Sequence, residues 1–310
     1  MGALVAGERA ALRLLEWLDA RGYDFVTITP ESHRRVLARA DMRRAADLRG
    51  IFGWSLPFDA HVAGEDLLDL LRDGDLLRET EGGWKAAVRV SRVRGQLFLH
   101  SAFPTDSEDS VFLGPDTSRF LNFIAQALPE RRPERLVDIG AGAGVGGILA
   151  ARMLGAPVRV ELADINRRAL SFARVNAAFA GVAVETVESD GVKAIAPGFD
   201  LAIANPPFII DEGGPAYRAG GGMNGAELSL NWVLEAADKL APGGRVLLYT
   251  GSAIVAGRDA LRAALAEQLP AGCSLDWREL DPDIFGEELA KPVYAQVERI
   301  AAIGAVIARA

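Results

Sequence analysis

The chain has 310 residues, of which 50% are hydrophobic and 25% are charged, and its formal net charge is −8. This composition indicates a globular protein of one large or two smaller domains, and the acidic balance argues against indiscriminate binding of polyanions. Because Cys273 is the only cysteine, a disulfide framework and a cysteine-rich zinc site are excluded.

The three histidines are scattered along the chain without the spacing of metal ligands. No run of about 18 apolar residues is present, and charged residues interrupt the N-terminus too early for a signal peptide. We therefore expect a cytoplasmic protein without a membrane span and without a metal.

Residues 1–104 are predicted to form a mainly helical N-terminal domain that ends in short strands. Glycines that follow apolar runs of helical spacing predict where helices stop. Helices are expected at 7–21, from Pro30 to about Leu48 and from about Ala63 to Leu71, and strands at 76–80, 84–91 and 96–101. Helices followed by a hairpin resemble a winged-helix module, which often contacts a macromolecule. The alternative is an accessory lobe that only stabilises the second domain.

The second predicted helix carries arginines spaced by four residues. Arg35, Arg39 and Arg43 would form one stripe on its surface, which could face phosphates. Residues 1–104 nevertheless carry fifteen basic and fifteen acidic side chains. This neutrality favours a solvated helix face over a nucleic-acid contact.

Residues 102–117 have the prolines, glycine and capping residues of a loop. We place the domain boundary near residue 105, so that residues 105–310 form the second domain and residues 105–134 its joint and leading helix. Asp116 or Thr117 is expected to cap the helix that continues from Arg119. This joint is also suitably placed to fold over a cofactor.

Strands and helices alternate after residue 134, which predicts an α/β domain with a parallel sheet. Strands are expected at 135–139, 158–163, 182–187, 199–204 and 245–250, with a final pair at 274–280 and 297–308. Because parallel strands end at the same edge of a sheet, the residues that follow the first four strands should lie together.

A glycine-rich turn follows the first of these strands. It begins after Asp138-Ile139 as Gly140-Ala141-Gly142-Ala143-Gly144 and leads into a helix. Glycines at such a turn let the backbone approach a ligand without obstruction by a Cβ atom. With Gly147, the turn also fits the G-x-G-x-x-G pattern of dinucleotide-binding folds, in which an acidic residue follows after about 20 positions.

The next strands end in polar side chains that suit a nucleoside. Asp164 follows the second strand and can accept hydrogen bonds from both hydroxyls of a ribose. Asp190, with Gly191, follows the third strand and can accept one from the exocyclic amine of an adenine.

The fourth strand ends at Asn205-Pro206-Pro207-Phe208. Prolines cannot continue the ladder of a sheet, so the strand must stop there. The Asn205 amide oxygen and the Pro206 carbonyl are acceptors in a stiff turn, and Phe208 adds a flat apolar face. Together they predict a seat for a planar NH2 group, although a strand terminator with a core phenylalanine is the simpler alternative.

In combination these motifs resemble the class I S-adenosylmethionine-dependent methyltransferases, whose sheet is Rossmann-like. The resemblance covers roughly residues 112–310 and implies seven strands in the order 3-2-1-4-5-7-6, S-adenosyl-L-methionine as cofactor, and N-methylation of a planar NH2 group. The residues that it implies for catalysis are Asn205, Pro206, Pro207 and Phe208, and those for cofactor binding are Asp138, Gly140, Ala141, Gly142, Gly144, Asp164, Ile165, Asp190, Gly191 and Asn205. An oxidoreductase with NAD is the alternative.

Within this class the chain resembles the HemK/PrmC-type protein-glutamine N5-methyltransferases, which also have a helical N-terminal domain and a glycine-rich segment after their Asn-Pro-Pro-Tyr motif. This chain has Phe208 in place of the tyrosine, as ribosomal-RNA guanine-N2 enzymes commonly do. We expect a macromolecular substrate: a release-factor glutamine first, with a nucleic-acid base amine (guanine-N2 of ribosomal RNA or adenine-N6) as the alternative and a small-molecule amine last. A non-catalytic S-adenosylmethionine-binding protein is disfavoured because all four residues of the catalytic motif are present. The segment Gly213–Gly225 is expected to close over that substrate.

Overall fold

The structure, a computed structural model, describes residues 3–155, 157–210 and 220–310. The helices are α1 (Ala6–Asp19), α2 (Pro30–Leu37), α3 (Leu48–Phe52), α4 (Ala60–Ala63), α5 (Glu65–Asp73), α6 (Asp116–Ala127), α7 (Val145–Leu154), α8 (Arg167–Ala180), α9 (Gly222–Gly225), α10 (Glu227–Lys239) and α11 (Ala260–Gln268). The strands are β1 (Leu77–Thr80), β2 (Gly83–Ala86), β3 (Val88–Val93), β4 (Gln96–Ser101), β5 (Arg135–Ile139), β6 (Arg159–Asp164), β7 (Val184–Glu188), β8 (Phe199–Ala204), β9 (Leu240–Val255), β10 (Arg258–Asp259), β11 (Cys273–Asp281) and β12 (Arg299–Arg309). Two 3-10 turns, Gly286–Ala290 and Pro292–Tyr294, lie between β11 and β12.

The central sheet has the strand order β7-β6-β5-β8-β9-β12-β11, with the short β10 paired to β9. The five strands from β7 to β9 are parallel, and β12 and β11 are antiparallel to their neighbours. Numbered within the second domain, this order is 3-2-1-4-5-7-6. The predicted fold class and strand order are therefore confirmed.

Helices cover both faces of the sheet, which explains why its central strands are mainly apolar rather than alternating. Consecutive residues of β5 point to opposite faces, so Leu136 packs with α6, α7 and α8 while Val137 packs with α10 and α11. Each of these clusters is built from buried aliphatic and aromatic side chains. The sheet is thus held rigidly between two apolar layers, and its edges are left to carry polar groups.

The predicted N-terminal domain, residues 1–104, contains α1 to α5 and two hairpins, β1–β2 and β3–β4, and its separation from the second domain near residue 105 stays a prediction. It agrees with the predicted helices followed by strands, and a winged-helix relationship stays a prediction. The domain packs on α8 of the second domain, where buried Glu8 of α1 accepts hydrogen bonds from Ser171 at 2.9 Å and from Arg174. Within the described ranges, no helix combines the length and apolar character that a membrane span requires.

The prediction of a long second helix is wrong, and so is the prediction of an arginine stripe on its surface. α2 ends at Leu37, and Arg39 and Arg43 lie in turns beyond it. The cause is tertiary: His33 is fully buried, and its Nε2 lies 3.0 Å from the Trp54 carbonyl oxygen. The chain must turn back after α2 to bring Trp54 to this position.

Two local boundaries also differ from the sequence prediction. The expected strand 84–91 is split at Ala87, whose backbone N–H donates to Leu76 while its carbonyl accepts from Ala102. The expected cap of α6 is wrong, because the N-cap is Pro115 and Asp116 instead accepts a hydrogen bond from Tyr249 at 2.5 Å. In both cases a backbone or side-chain group forms a hydrogen bond with a residue distant in the sequence instead of the local structure that the pattern predicted.

We predict that Glu8→Ala lowers the free energy of unfolding by about 2–3 kcal/mol, because it leaves Arg174 without its carboxylate and Val5 N–H without an acceptor. Urea titration measures the change. The matched control is Arg13→Ala, which removes an exposed ion pair with Asp73 at 3.1 Å and should cost less than about 1 kcal/mol. Equal losses in the two variants would contradict the prediction.

Candidate active site

The register of the parallel strands places their carboxyl ends at one level. Ile139, the last residue of β5, is paired with Ala163 of β6 on one side and with Ala204 of β8 on the other. The glycine loop, Asp164 and Asn205 therefore leave the sheet side by side, as the strand pattern predicted.

A cavity of about 560 Å³ lies at this edge, a size typical of cofactor and small-molecule sites. Most of the residues predicted for catalysis or cofactor binding line it. They are Asp138, Gly140, Ala141, Gly142, Asp164, Ile165, Asp190, Asn205, Pro206, Pro207 and Phe208. The structure therefore brings together side chains that are up to 70 positions apart in the sequence.

Gly144 and Gly191 lie behind the lining instead. Gly144 precedes α7 with a left-handed φ of 78°, and a side chain there would lie within about 3 Å of Ile148 and Ala173. Gly191 has φ 57° and lies against the Trp232 ring. Both glycines permit close packing of the turns that carry the lining residues, and their direct contact with a cofactor stays a prediction.

Asp164 holds the glycine loop in place. Its Oδ2 accepts from the Gly142 N–H and its Oδ1 from the Asn166 N–H, each at 2.8 Å. Burial raises the pKa of Asp164, and these N–H groups oppose that rise. Because each carboxylate oxygen has a further lone pair, Asp164 can still accept from ribose hydroxyls while it orients the loop.

Asp138 lies beneath the same loop and is 2% exposed. Its Oδ2 accepts from the Gly147 N–H at 2.7 Å. Burial, with a smaller contribution from the charge of Asp164, raises the pKa of Asp138 to about 7, although the Gly147 N–H works against it. A positively charged ligand in the cavity would favour the ionised form of this carboxyl.

Two residues of the lining, one aliphatic and one acidic, have exposed side chains. Ile165 is 57% exposed, although large aliphatic side chains are usually buried. Asp190 is also exposed, and its Oδ2 lies 2.5 Å from Lys193 Nζ. This arrangement suits a flat base that packs on Ile165 and donates from its amine to Asp190.

The Asn205-Pro206-Pro207-Phe208 turn lines the cavity, and the binding of an NH2 group by its acceptors stays a prediction. In the described part of the chain, neither the Asn205 side chain nor the Pro206 carbonyl has a hydrogen-bond donor. The Phe208 ring occupies the space over Gly251, where a Cβ would approach it within 2.4 Å. Phe285, between β11 and β12, packs edge-on against Phe208 with ring centroids 5.4 Å apart. The turn is thus fixed while its acceptors stay available.

Of the predicted closing segment Gly213–Gly225, residues 213–219 lie outside the described residues. Its last part packs against the motif: the Gly220 N–H donates to the Ile209 carbonyl at 2.9 Å. A side chain on Gly220 or Gly225 would collide with the Phe208 backbone. The glycines at this end are therefore required by close packing, and closure over a substrate stays a prediction.

The cavity also has walls that no motif indicated. They come from residues 110–114 of the joint, from α2, from Trp232 of α10 and from the first 3-10 turn. The general placement of the joint could be expected from its loop character. The contributions of α2 and of Glu287 could not, because nothing in the local sequence relates them to the strand ends.

The charge of the lining favours one cofactor class over another. Among the described lining residues, eight are acidic and only Arg34 is basic. The pyrophosphate of a dinucleotide would meet several carboxylates here, whereas the sulfonium and ammonium groups of S-adenosylmethionine are cations. These residues therefore fit S-adenosylmethionine better than NAD. No cluster of metal-ligating side chains is found in the parts of the chain that the structure describes.

Comparisons with known proteins agree with this assignment. Residues 115–266 match the family model of the methyltransferase small domain. The release factor glutamine methyltransferase of Deinococcus radiodurans is 28% identical over 257 residues, which cover 74% of this chain and 88% of that protein. The ribosomal RNA small subunit methyltransferase C of Hahella chejuensis is 44% identical over 86 residues, which cover 27% of this chain and 25% of that protein.

Among solved structures, the 16S rRNA N2 G1207 methyltransferase of T. thermophilus, in complex with AdoMet and guanosine, is similar with a TM-score of 0.46 and 18% identity. The similarity covers 82% of this chain and 63% of that protein. A likeness of this size carries no argument about the substrate.

We predict that Asp138→Asn, which keeps an acceptor for Gly147 N–H, removes a pH-dependent destabilisation. Between the ordinary pKa of 3.8 and the folded value of about 7, the folded protein keeps a proton that the unfolded chain has lost, so stability falls as pH rises. The free energy of unfolding of the variant minus that of the wild type should therefore rise by on the order of 2 kcal/mol from pH 5 to pH 7.5.

Urea titrations at the two pH values measure this difference. Asp276→Asn, a substitution at an exposed position of β11, is the control and should show no such trend. A difference for Asp138→Asn that is the same at both pH values would show that the carboxyl is ionised throughout.

Proposed function

Because residues 115–266 of this S-adenosylmethionine-dependent methyltransferase belong to the methyltransferase small domain family, we propose that its acceptor is a planar NH2 group, the side-chain amide of a glutamine in a release-factor-type protein. The observation that carries the proposal is the Asn205-Pro206-Pro207-Phe208 turn. It lies at the strand ends, lines the cavity and has two acceptors without donors among the described residues. A cytoplasmic location stays a prediction from the sequence.

When bound, S-adenosylmethionine supplies a methyl group on a positively charged sulfur. The acceptor nitrogen is a poor nucleophile, because its lone pair is delocalised into the neighbouring carbonyl. The Asn205 oxygen and the Pro206 carbonyl would accept hydrogen bonds from the two N–H groups of this nitrogen. These bonds would orient the nitrogen and favour a more tetrahedral geometry. Positioning of this kind supplies most of the acceleration, and the lost proton can pass to water.

We assign the cofactor contacts to lining residues outside the Asn205-Pro206-Pro207-Phe208 turn. Asp164 would accept from the ribose hydroxyls and Asp190 from the adenine amine, while Ile165 packs against the base. The backbone of Gly140–Gly142 would approach the cofactor closely, because these positions carry at most a methyl group. Asp138 would balance part of the positive charge from beneath the loop.

Several observations favour a glutamine over a nucleic-acid base. The cavity and its mouth are acidic, which disfavours the approach of phosphates. The arginine stripe that could have bound them is absent, because Arg39 and Arg43 lie beyond the end of α2. In addition, the Deinococcus glutamine methyltransferase is matched over 88% of its length, whereas the Hahella RNA methyltransferase is matched over 25%.

The second candidate acceptor is an amine of an RNA base. The local identity of 44% to an enzyme named for ribosomal RNA favours it, as does Phe208 in place of tyrosine. Both acceptors would use the same two hydrogen-bond acceptors and the same flat face. The choice between them therefore depends on the surface around the cavity mouth rather than on the catalytic turn.

We predict that Asn205→Ala slows turnover by about 10²–10³-fold and changes cofactor affinity by less than about threefold, because one preorganised hydrogen-bond acceptor for the amine is lost. Single-turnover rates and calorimetric titration with S-adenosylmethionine measure the two effects. Asn166→Ala is a useful comparison, since Asn166 lines the cavity but caps α8. Unchanged turnover in Asn205→Ala would remove the residue from the mechanism.

The acceptor is tested by offering purified release factor 1 and 16S ribosomal RNA in parallel with tritiated S-adenosylmethionine. We expect label in the protein, and its loss when the accepting glutamine is replaced by asparagine. An RNA substrate held by six or more phosphates would bind about 10³-fold more weakly when salt is raised from 50 to 200 mM. Label in RNA with that salt dependence would overturn the glutamine proposal and leave the methyltransferase assignment intact.

A further inference from the structure

One wall of the cofactor cavity is held by the N-terminal domain. This wall, residues 110–114, is called the strap below, and all five of its residues line the cavity. Ser101, at the end of β4, donates its N–H to the Val111 carbonyl at 3.0 Å, and its Oγ accepts from the Val111 N–H at 2.8 Å. The strap is thus attached to the end of β4 rather than being a free loop.

Thr27 provides a second attachment. Its Oγ1 donates to the Leu113 carbonyl at 3.0 Å, and it is 5% exposed. Arg89, which is 3% exposed, donates to the same Oγ1 at 2.7 Å. Since a hydroxyl has one proton and Arg89 can only donate, this proton is directed to Leu113. A buried guanidinium therefore sets the direction of the bond that fixes the strap.

Asn176 of α8 connects the N-terminal domain to the glycine loop. Its Oδ1 accepts from the Leu99 N–H at 2.8 Å, and its Nδ2 donates to the Leu99 carbonyl at 3.0 Å and to the Ala143 carbonyl at 2.9 Å. Leu99 belongs to β4, and Ala143 belongs to the glycine loop. Asn176 is fully buried, so loss of its side chain would leave three backbone groups without partners.

These attachments join the domain to the strap and to the glycine loop, both of which line the cavity. We propose that the N-terminal domain is a structural part of the cofactor site, in which Thr27 and Asn176 act as positioning residues that set the affinity for S-adenosylmethionine. Neither side chain lines the cavity. Their effect passes through the Leu113 and Ala143 carbonyls, whose segments the cofactor would contact.

The test uses full-length protein and calorimetric titration with sinefungin, a non-reactive analogue of S-adenosylmethionine, so that no acceptor is needed. We expect Thr27→Val and Asn176→Ala to raise the Kd about tenfold while the stoichiometry stays near one, which shows that the remaining protein is folded. Hydrogen exchange of the Val111 amide in ligand-free protein should also be faster in Thr27→Val, because the strap has lost an attachment.

Two controls separate positioning from general destabilisation. Tyr23→Phe removes another buried hydroxyl of the N-terminal domain, one that donates to the Val90 carbonyl at 2.9 Å. Ser171→Ala removes a contact between α8 and the N-terminal domain that does not involve the glycine loop. Both should lower the thermal midpoint and leave the Kd within twofold of the wild type.

A Kd for Thr27→Val within twofold of the wild type, with stability lowered as in Tyr23→Phe, would overturn the proposal. If Asn176→Ala does not fold, Thr27→Val decides the outcome alone. An increase in Kd that is equally large in the two control variants would likewise contradict it, because affinity would then follow stability rather than the geometry of the strap.

Discussion

The site depends on the register of three parallel strands. Ile139 of β5 is paired with both Ala163 and Ala204, so the chain leaves the sheet at the same level three times. Apolar side chains on both faces hold this register, because a shift by one residue would exchange the side chains that fill the two close-packed layers. The polar groups of the site need no long-range attraction to meet, since the hydrophobic layers bring them to one edge.

The second constraint is that a cavity at an open sheet edge needs walls from elsewhere. Here α2, the strap, Trp232 and the first 3-10 turn provide them, and the strap is attached to the end of β4. Hydrogen bonds of Ser101, Thr27 and Asn176 to backbone groups make these contacts directional, which apolar packing alone would not. A macromolecule that binds the N-terminal domain would therefore contact segments that also form walls of the cofactor cavity.

The errors of the sequence prediction have one cause in common. The long second helix failed because buried His33 requires Trp54 nearby, and the expected cap of α6 failed because Tyr249 takes Asp116 as its acceptor. The split of the strand 84–91 follows from bonds of Ala87 to Leu76 and Ala102. In each case the local pattern was reasonable, but a partner distant in the sequence contributed more free energy than local propensity did.

The sequence by itself determined the order of strands and helices, the strand ends at Gly140, Asp164, Asp190 and Asn205, and the chemistry that those ends suit. It could do so because hydrophobic periodicity and proline or glycine stops act over a few residues. Only the tertiary structure decided that burial raises the pKa of Asp138 to about 7. It also decided that Gly144 and Gly191 lie behind the lining, and that residues 110–114 and α2 complete the cavity. These properties arise from burial and from contacts between segments far apart in the chain, and no local pattern encodes them.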